Sequence, residues 1–217
     1  MRTFGFNDFM FILQAAQWTI GLSLIAFIGG ALGGLMVALA RTSEQPAIER
    51  VATGYIQIFQ GTPLLMQLFL VFFGAPVLGM DISPWVAAGI ALILNTSAFL
   101  GEIWRGCIQA IPRGQWEAAE ALGLSYTKRM RLVVLPQAWR IALAPTVGYL
   151  VQVIKGTSLA AIIGFTEITR AGQIINNATF QPLIVFSVVG AIYFALCWPL
   201  SFWAGRIEQR RSLALAR

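Results

Sequence analysis

The chain has 217 residues, of which 58% are hydrophobic and only 11% charged, whereas a soluble domain usually carries about 25% charged residues. The net charge is +6, but the basic residues lie beside long uncharged runs, so the positive-inside bias of membrane proteins explains them better than nucleic-acid binding. The sequence has no His, and its two cysteines, Cys107 and Cys197, are far apart; we therefore expect neither catalytic residues nor a metal site.

The uncharged runs predict an all-α integral membrane protein, because a helix needs about 20 apolar residues to cross about 30 Å of hydrocarbon. We expect a single transmembrane domain over residues 1–217, beginning with an interfacial segment at 1–14. Gly61, Thr62 and Pro63 should interrupt the second crossing, and Lys155 lies inside the fourth. The five predicted crossings are residues 15–40, 55–80, 84–104, 141–165 and 183–205.

The basic residues predict the orientation of these crossings. Most of them fall in the first connection, the third connection and the tail, which the positive-inside rule assigns to the cytoplasm. The N-terminus is then outside and the C-terminus inside. The residues on the cytoplasmic side are Arg41, Arg50, Arg105, Arg113, Lys128, Arg129, Arg131, Arg140, Arg206, Arg210, Arg211 and Arg217.

The third connection, about residues 107–140, is too long for a simple turn between crossings. We expect one helix over Gln115–Leu122, which Gly123 ends in the left-handed conformation that glycine tolerates. Ser125 can cap a second helix, and Pro136 should limit it. The interpretation that requires no specific function is an amphipathic hairpin lying on the membrane.

The spacing within this hairpin is more specific. Glu117-Ala118-Ala119, three residues, Gly123, nine residues, and then Val133-Val134-Leu135-Pro136 resembles the EAA loop of bacterial ABC importer permeases, with Val133 where Ile is usual. Glu117 could also stabilise its own helix, since a carboxylate near a helix N-terminus is favourable by about 0.3–1 kcal/mol.

The resemblance extends along most of the chain and narrows the family. Residues Ile58–Pro76, Ile108–Ser125 and Lys155–Gln173 are similar to the polar amino acid permeases, those for histidine, glutamine, glutamate, arginine and opines. This likeness implies the type I fold of the methionine importer. It also implies a second permease subunit, alike or different, two ATPase subunits that hold ATP and Mg²⁺, and a separate amino-acid-binding protein. This chain itself would bind no cofactor, and residues 117–123 would form a coupling helix in a groove on the ATPase.

Polar groups at membrane depth are costly and tend to mark pathways. The candidates for a substrate pathway lie in the broken second crossing, the middle of the third and the break in the fourth. The family often has an acidic residue where this chain has Gly156, which suggests a different substrate or the non-binding half of a heterodimer. The pathway candidates are Thr62, Asn95, Ser97, Lys155, Thr157 and Ser158.

Two further patterns leave alternatives open. Glu102 and Arg105 lie one helical turn apart, which indicates either a local ion pair or a gate or inter-subunit contact. The pairs Gly29–Gly33 and Gly30–Gly34 allow close helix approach, either inside the bundle or between two subunits.

The leading interpretation is a permease subunit of an ATP-driven amino acid importer in the bacterial inner membrane. A channel or self-sufficient carrier is the alternative, but neither would need an Ala-rich cytoplasmic hairpin.

Overall fold

The computed structural model describes the backbone of residues 2–215 and the side chains of residues 2–209. The described part is helical throughout, without strands. The predicted cytoplasmic positions of Arg210, Arg211 and Arg217 lie outside the described side chains. The α-helices are α1 (Phe6–Arg41), α2 (Pro46–Gly61), α3 (Leu64–Val77), α4 (Pro84–Gln109), α5 (Arg113–Ala121), α6 (Tyr126–Arg129), α7 (Leu135–Gly156), α8 (Ile168–Thr179) and α9 (Pro182–Leu215).

Three of the described helices, α1, α4 and α9, are long and apolar enough to cross a membrane. The pair α2 and α3 would add a fourth if it counts as one broken span, since the two helices meet at an angle of 100°. The predicted break at Gly61–Pro63 is therefore present. The helix α7, which carries Arg140 and Lys155, does not reach the same combination of length and hydropathy, so the number of five crossings stays a prediction.

The glycines of α1 pack inside the bundle against α4. A Cβ atom on Gly30 would lie 2.3 Å from Cγ2 of Thr96, and one on Gly101 would lie 2.6 Å from Cγ1 of Val37. Such distances are far below van der Waals contact, so only glycine permits this approach of the two helices. This confirms the intramolecular interpretation of the α1 glycines.

The core positions the broken helix beside α4. Leu22 of α1, Leu68 of α3 and Leu92 of α4 are fully or almost fully buried in one cluster. At the other end of α1, Ile12 packs against α8 and α9 in a second cluster. The helix α4 is thus surrounded by α1, α3 and α7.

Residues 6–14 of the predicted interfacial segment belong to the same helix as the first span, because α1 is one unbroken helix of 36 residues, about 54 Å long; the interfacial position of 1–14 stays a prediction. One expectation about helix ends is wrong. Pro136 does not limit the second hairpin helix, because α6 continues through a π-helical turn at Met130–Val134 into α7. The third connection, predicted at about residues 107–140, is shorter in the structure, because α4 extends to Gln109 and α7 already begins at Leu135.

A π-helical turn explains how the chain accommodates Pro136. Proline lacks the N–H that would bond to the carbonyl four residues earlier, and wider helical turns are one way to absorb the loss. In the same turn, the side chain of Gln137 donates from Nε2 to the carbonyl of Val133 at 2.8 Å.

Candidate coupling surface and translocation site

The helix α5 ends in a glycine turn. Gly123 has φ +72°, in the left-handed region, and its N–H bonds to the carbonyl of Glu120 at 2.8 Å while that of Leu124 bonds to Ala119 at 3.2 Å. These two bonds form a Schellman motif, which satisfies carbonyls at the helix end. The predicted role of Gly123 in ending the helix is confirmed.

One face of α5 is exposed and the other is anchored. Glu117 and Ala118 are exposed, and the side chain of Leu122 is 80% exposed at the end of the helix. Ala119 is buried, and Trp116 packs on the cluster that joins α1, α4 and the π-helical turn. The EAA sequence therefore presents the carboxylate of Glu117 and the small side chain of Ala118 outward, while Ala119 anchors the helix.

Glu117 does not lie in the first turn of its helix. The helix begins at Arg113, two residues before the predicted start, and the interaction of a carboxylate with the helix dipole falls off within one turn. Self-stabilisation is thus the weaker of the two roles considered for Glu117.

Arg129 joins the hairpin to the first connection. Its guanidinium contacts the carboxylate of Glu120 at 2.8 Å and that of Glu44 at 3.5 Å. The hydroxyl of Tyr126 donates to the carbonyl of Thr42 in the same region. These contacts tie α5 and α6 to the end of α1. We call the five residues that make them the hairpin latch: Thr42, Glu44, Glu120, Tyr126 and Arg129.

The break between α2 and α3 is bound to α4 and α7 by a polar network. Gln67 donates from Nε2 to the carbonyl of Phe59 at 2.8 Å and to the hydroxyl of Thr62 at 3.0 Å. Asn95 of α4 donates to Oε1 of Gln67 at 3.1 Å and accepts from the hydroxyl of Tyr149 at 3.3 Å. The backbone groups that the break frees are in this way partly satisfied by side chains.

The other predicted pathway residues fall into two groups. Ser97 and Thr157 are buried, and their hydroxyls bond internally, Ser97 to Tyr55 at 2.6 Å and Thr157 to the carbonyl of Ile154 at 2.7 Å. Lys155 is exposed in the last turn of α7, and the hydroxyl of Ser158 donates to its carbonyl at 2.6 Å. Thr62 is also exposed. It is connected to Asn95 through the side chain of Gln67, whereas Ser97 bonds to Tyr55 instead.

Glu102 and Arg105 form a two-point ion pair on α4. The contacts are 2.5 Å from Nη2 to Oε1 and 2.8 Å from Nε to Oε2. Arg105 also contacts the side chain of Gln109. A local ion pair is therefore present within one helix, and the role of these residues as a gate or an inter-subunit contact stays a prediction.

Comparison with known proteins places the chain in a family. Residues 30–213 match the model of the binding-protein-dependent transport system inner membrane component. The chain belongs to this family.

Its relatives in the family include named amino acid permeases. It is 37% identical over 204 residues to the probable amino-acid ABC transporter permease protein YckA of Bacillus subtilis (strain 168), covering 94% of this chain and 90% of that one. It is 35% identical over 204 residues to the glutamine transport system permease protein GlnP of Escherichia coli (strain K12), covering 93% of each.

Solved structures of the family share the fold. A chain from the crystal structure of an amino acid ABC transporter with histidines has a TM-score of 0.87 and 33% identity, covering 96% of this chain and 100% of that one. A chain of the MetNI methionine ABC transporter has a TM-score of 0.78 at 20% identity, covering 93% of this chain and 96% of that one. The predicted type I permease fold is therefore confirmed.

A buried carboxyl of this family member escaped the sequence reasoning. Glu167 is fully buried between α7 and α8. It accepts from the N–H of Arg170 at 2.9 Å and from the hydroxyl of Tyr193 at 2.6 Å, which ties the start of α8 to α9. Burial raises the pKa of Glu167, because a low-dielectric surrounding disfavours the charged form.

Sequence reasoning also missed Gln67, Tyr149 and Arg129, which join elements distant in the chain. A polar side chain inside the apolar run of α3 is the signal that could have found Gln67. Tyr149 and Arg129 have no such signal, since their partners lie 54 and 85 residues away. Among the described residues, no three His, Cys, Asp or Glu side chains lie close enough to hold a metal ion.

Proposed function

We propose that this chain is the permease subunit of an ATP-binding-cassette importer that takes up polar amino acids. The exposed, glycine-terminated α5 with its EAA sequence carries the proposal, because it offers a docking surface to an ATPase. Membership of a binding-protein-dependent transport family and amino acid permeases among the relatives support it.

The proposed assembly has this chain in the inner membrane, crossing it five times, with the N-terminus outside. It contains two ATPase subunits that bind ATP and Mg²⁺, a second permease that is a copy or a homologue, and a soluble or anchored amino-acid-binding protein. This chain supplies the pathway and the coupling helix. Glu117, Ala118, Ala119, Gly123, Leu135 and Pro136 form its proposed coupling segment.

The latch suggests how movement of the ATPase reaches the membrane. The ATPase moves α5, and the contacts of Arg129 and Tyr126 pass the movement to Thr42 and Glu44 at the end of α1. From there the chain enters α2, whose far end is the break at Thr62. Closure of the ATPase pair thus displaces the broken helix.

Substrate would pass beside this break. The exposed residues Thr62 and Lys155 can face the pathway, with Ser158 near Lys155. Asn95 holds the break in position, while Ser97 and Thr157 support the helices from inside. Glu102 and Arg105 remain a proposed gate or subunit contact at one end of α4.

The test uses this permease coexpressed with its cognate ATPase and partner permease. We expect the ATPase to copurify with the wild-type chain and to be lost with Gly123→Val, because a β-branched side chain at φ +72° strains the turn. Gly106→Val is the matched control, since Gly106 lies in α4 with no atom near an added Cβ.

Reconstituted liposomes with the binding protein test the transported class. Polar amino acids should stimulate ATP hydrolysis. They should enter vesicles whose ATPase subunits face the lumen, and only when ATP is enclosed in that lumen. Uptake by the permease alone, without ATPase subunits, would favour a channel or carrier instead.

A further inference from the structure

An apolar groove of about 520 Å³ lies between α1, α4 and α7. Its volume falls within the range of about 300–1,000 Å³ that is typical of small-molecule sites. The side chains that line it include Ile28, Leu32, Leu35, Ile108, Leu135 and Trp139.

The groove presents only apolar surface although two polar side chains border it. Nε1 of Trp104 donates to the hydroxyl of Thr146 at 2.8 Å, so these polar atoms already satisfy each other. An occupant therefore needs no hydrogen bonds, and a hydrocarbon chain fits this chemistry.

The groove lies away from the proposed pathway. Thr146 borders the groove, and Lys155 follows it by nine residues in the same α-helix, which is two and a half turns at about 3.6 residues per turn. Lys155 therefore projects from the opposite face of α7. The α1 side chains at the groove remain largely uncovered, with Leu32 65% exposed.

A basic residue lies beyond one end of the groove. Arg131 does not line the groove, but it lies in the π-helical turn four residues before the lining residue Leu135, and so about one turn nearer the α5 hairpin. It is exposed, and it makes no ion pair among the described side chains, whereas Arg41, Arg105 and Arg129 all do. An uncompensated cation at the end of an apolar groove is complementary to an anion joined to a hydrocarbon chain.

We propose that this groove binds an anionic phospholipid, with one acyl chain against α1, α4 and α7 and the headgroup phosphate on Arg131. The apolar lining takes the chain without leaving a polar group unpaired. Arg131 selects the headgroup charge, because basic residues at the hydrocarbon boundary attract anionic lipid. This lipid site requires that the chain lie in a bilayer, and it is independent of the solute that the protein transports.

The test is native mass spectrometry of the intact transporter complex, released from vesicles of equal parts phosphatidylglycerol and phosphatidylcholine. We expect phosphatidylglycerol to remain bound to the wild-type complex in preference. Arg131→Gln should lower its retention about fivefold, the effect of one basic residue at an anionic surface. The matched control is Arg140→Gln, since Arg140 is exposed on α7 but follows Leu135 by five residues, which at about 3.6 residues per turn turns it away from the groove.

A second pair of variants tests the groove itself. Ala31→Phe fills it and should lower retention of both lipids, whereas Ala195→Phe, at an exposed alanine of α9, should not. Equal retention in Arg131→Gln and Arg140→Gln would overturn the proposal. So would a change in permease stoichiometry with Ala31→Phe at unchanged lipid retention, which would assign the groove to a second copy of the chain. Loss of ATPase subunits from Arg131→Gln with lipid retained would assign Arg131 to the ATPase contact.

Discussion

At the residue scale, Gly123 shows how one backbone conformation can support a docking surface. Its positive φ closes the Schellman motif that ends α5 beside the exposed Leu122. A residue with a Cβ in the left-handed region costs about 1–2 kcal/mol. The orientation of the coupling segment therefore depends on a residue that contributes no side-chain contact of its own.

We predict that Gly123→Ala lowers the stability of the hairpin by about 1–2 kcal/mol. The measurement is proteolysis within residues 107–140 of the purified complex, which should become faster. Gly106→Ala is the control and should leave cleavage unchanged or slower, since alanine favours a helix interior. Equal cleavage of the two variants would contradict the role given to the positive φ.

Glu167 predicts a pH dependence of stability. Burial raises its pKa in the folded protein, so the folded state holds its proton more tightly than the unfolded state. Its contribution is fully present below the ordinary glutamate pKa of about 4.3 and is lost as pH rises through the folded value.

We therefore expect Glu167→Gln, which keeps a neutral side chain of the same shape, to become more stable relative to wild type as pH rises. Thermal unfolding from about pH 5 to about pH 8 measures this difference. A difference that stays constant over this range would show that Glu167 does not change its charge there.

At the element scale, the hairpin is fixed by contacts across the chain as well as by its own helices. Arg129 is largely covered, with a side chain 14% exposed, while its partners Glu44 and Glu120 are mostly exposed. Exposed ion pairs contribute about 0–1 kcal/mol each. The latch should therefore matter more for transmitting movement than for holding the fold.

We predict that Arg129→Gln lowers amino-acid uptake per ATP hydrolysed while the complex unfolds within a few degrees of wild type, because the lost pairs are worth about 1 kcal/mol or less. Uptake and hydrolysis are measured together in liposomes. Lys128→Gln is the matched control, because Lys128 is the adjacent basic residue and makes no ion pair among the described side chains. An unchanged uptake-to-hydrolysis ratio would show that force does not pass through Arg129.

At the scale of the whole molecule, coupling to an ATPase requires that α5 lie on the cytoplasmic side of the membrane. Asp81, between α3 and α4, should lie on the other side of the bilayer. Both native cysteines are buried, so cysteines introduced at the surface should dominate any labelling.

We predict that Glu117→Cys is labelled by a membrane-impermeant maleimide only in inside-out vesicles, and Asp81→Cys only in right-side-out vesicles. Both side chains are exposed in the chain by itself, so in vesicles that hold the permease without its ATPase subunits, access of the label depends on topology alone. Labelling of Glu117→Cys from the outside would overturn the proposed coupling to an ATPase.

The amino-acid sequence was enough to predict the membrane class, the family likeness, the helix break at Gly61–Pro63 and the glycine turn at Gly123. These depend on local properties: hydropathy, the constraint on φ, and the missing N–H of proline. The sequence misjudged Pro136, because a π-helical turn lets the helix continue through it.

The pairing of polar residues from distant parts of the chain follows from the packing of the helices. Gln67 with Asn95 and Tyr149, Glu167 with Tyr193, and Arg129 with Glu44 are each brought together by helix packing. Side-chain contacts between helices depend on crossing geometry, which here follows from the close approach of α1 and α4 at their glycines. No single-chain pattern encodes that pairing, because partners far apart in sequence leave no local periodic signal.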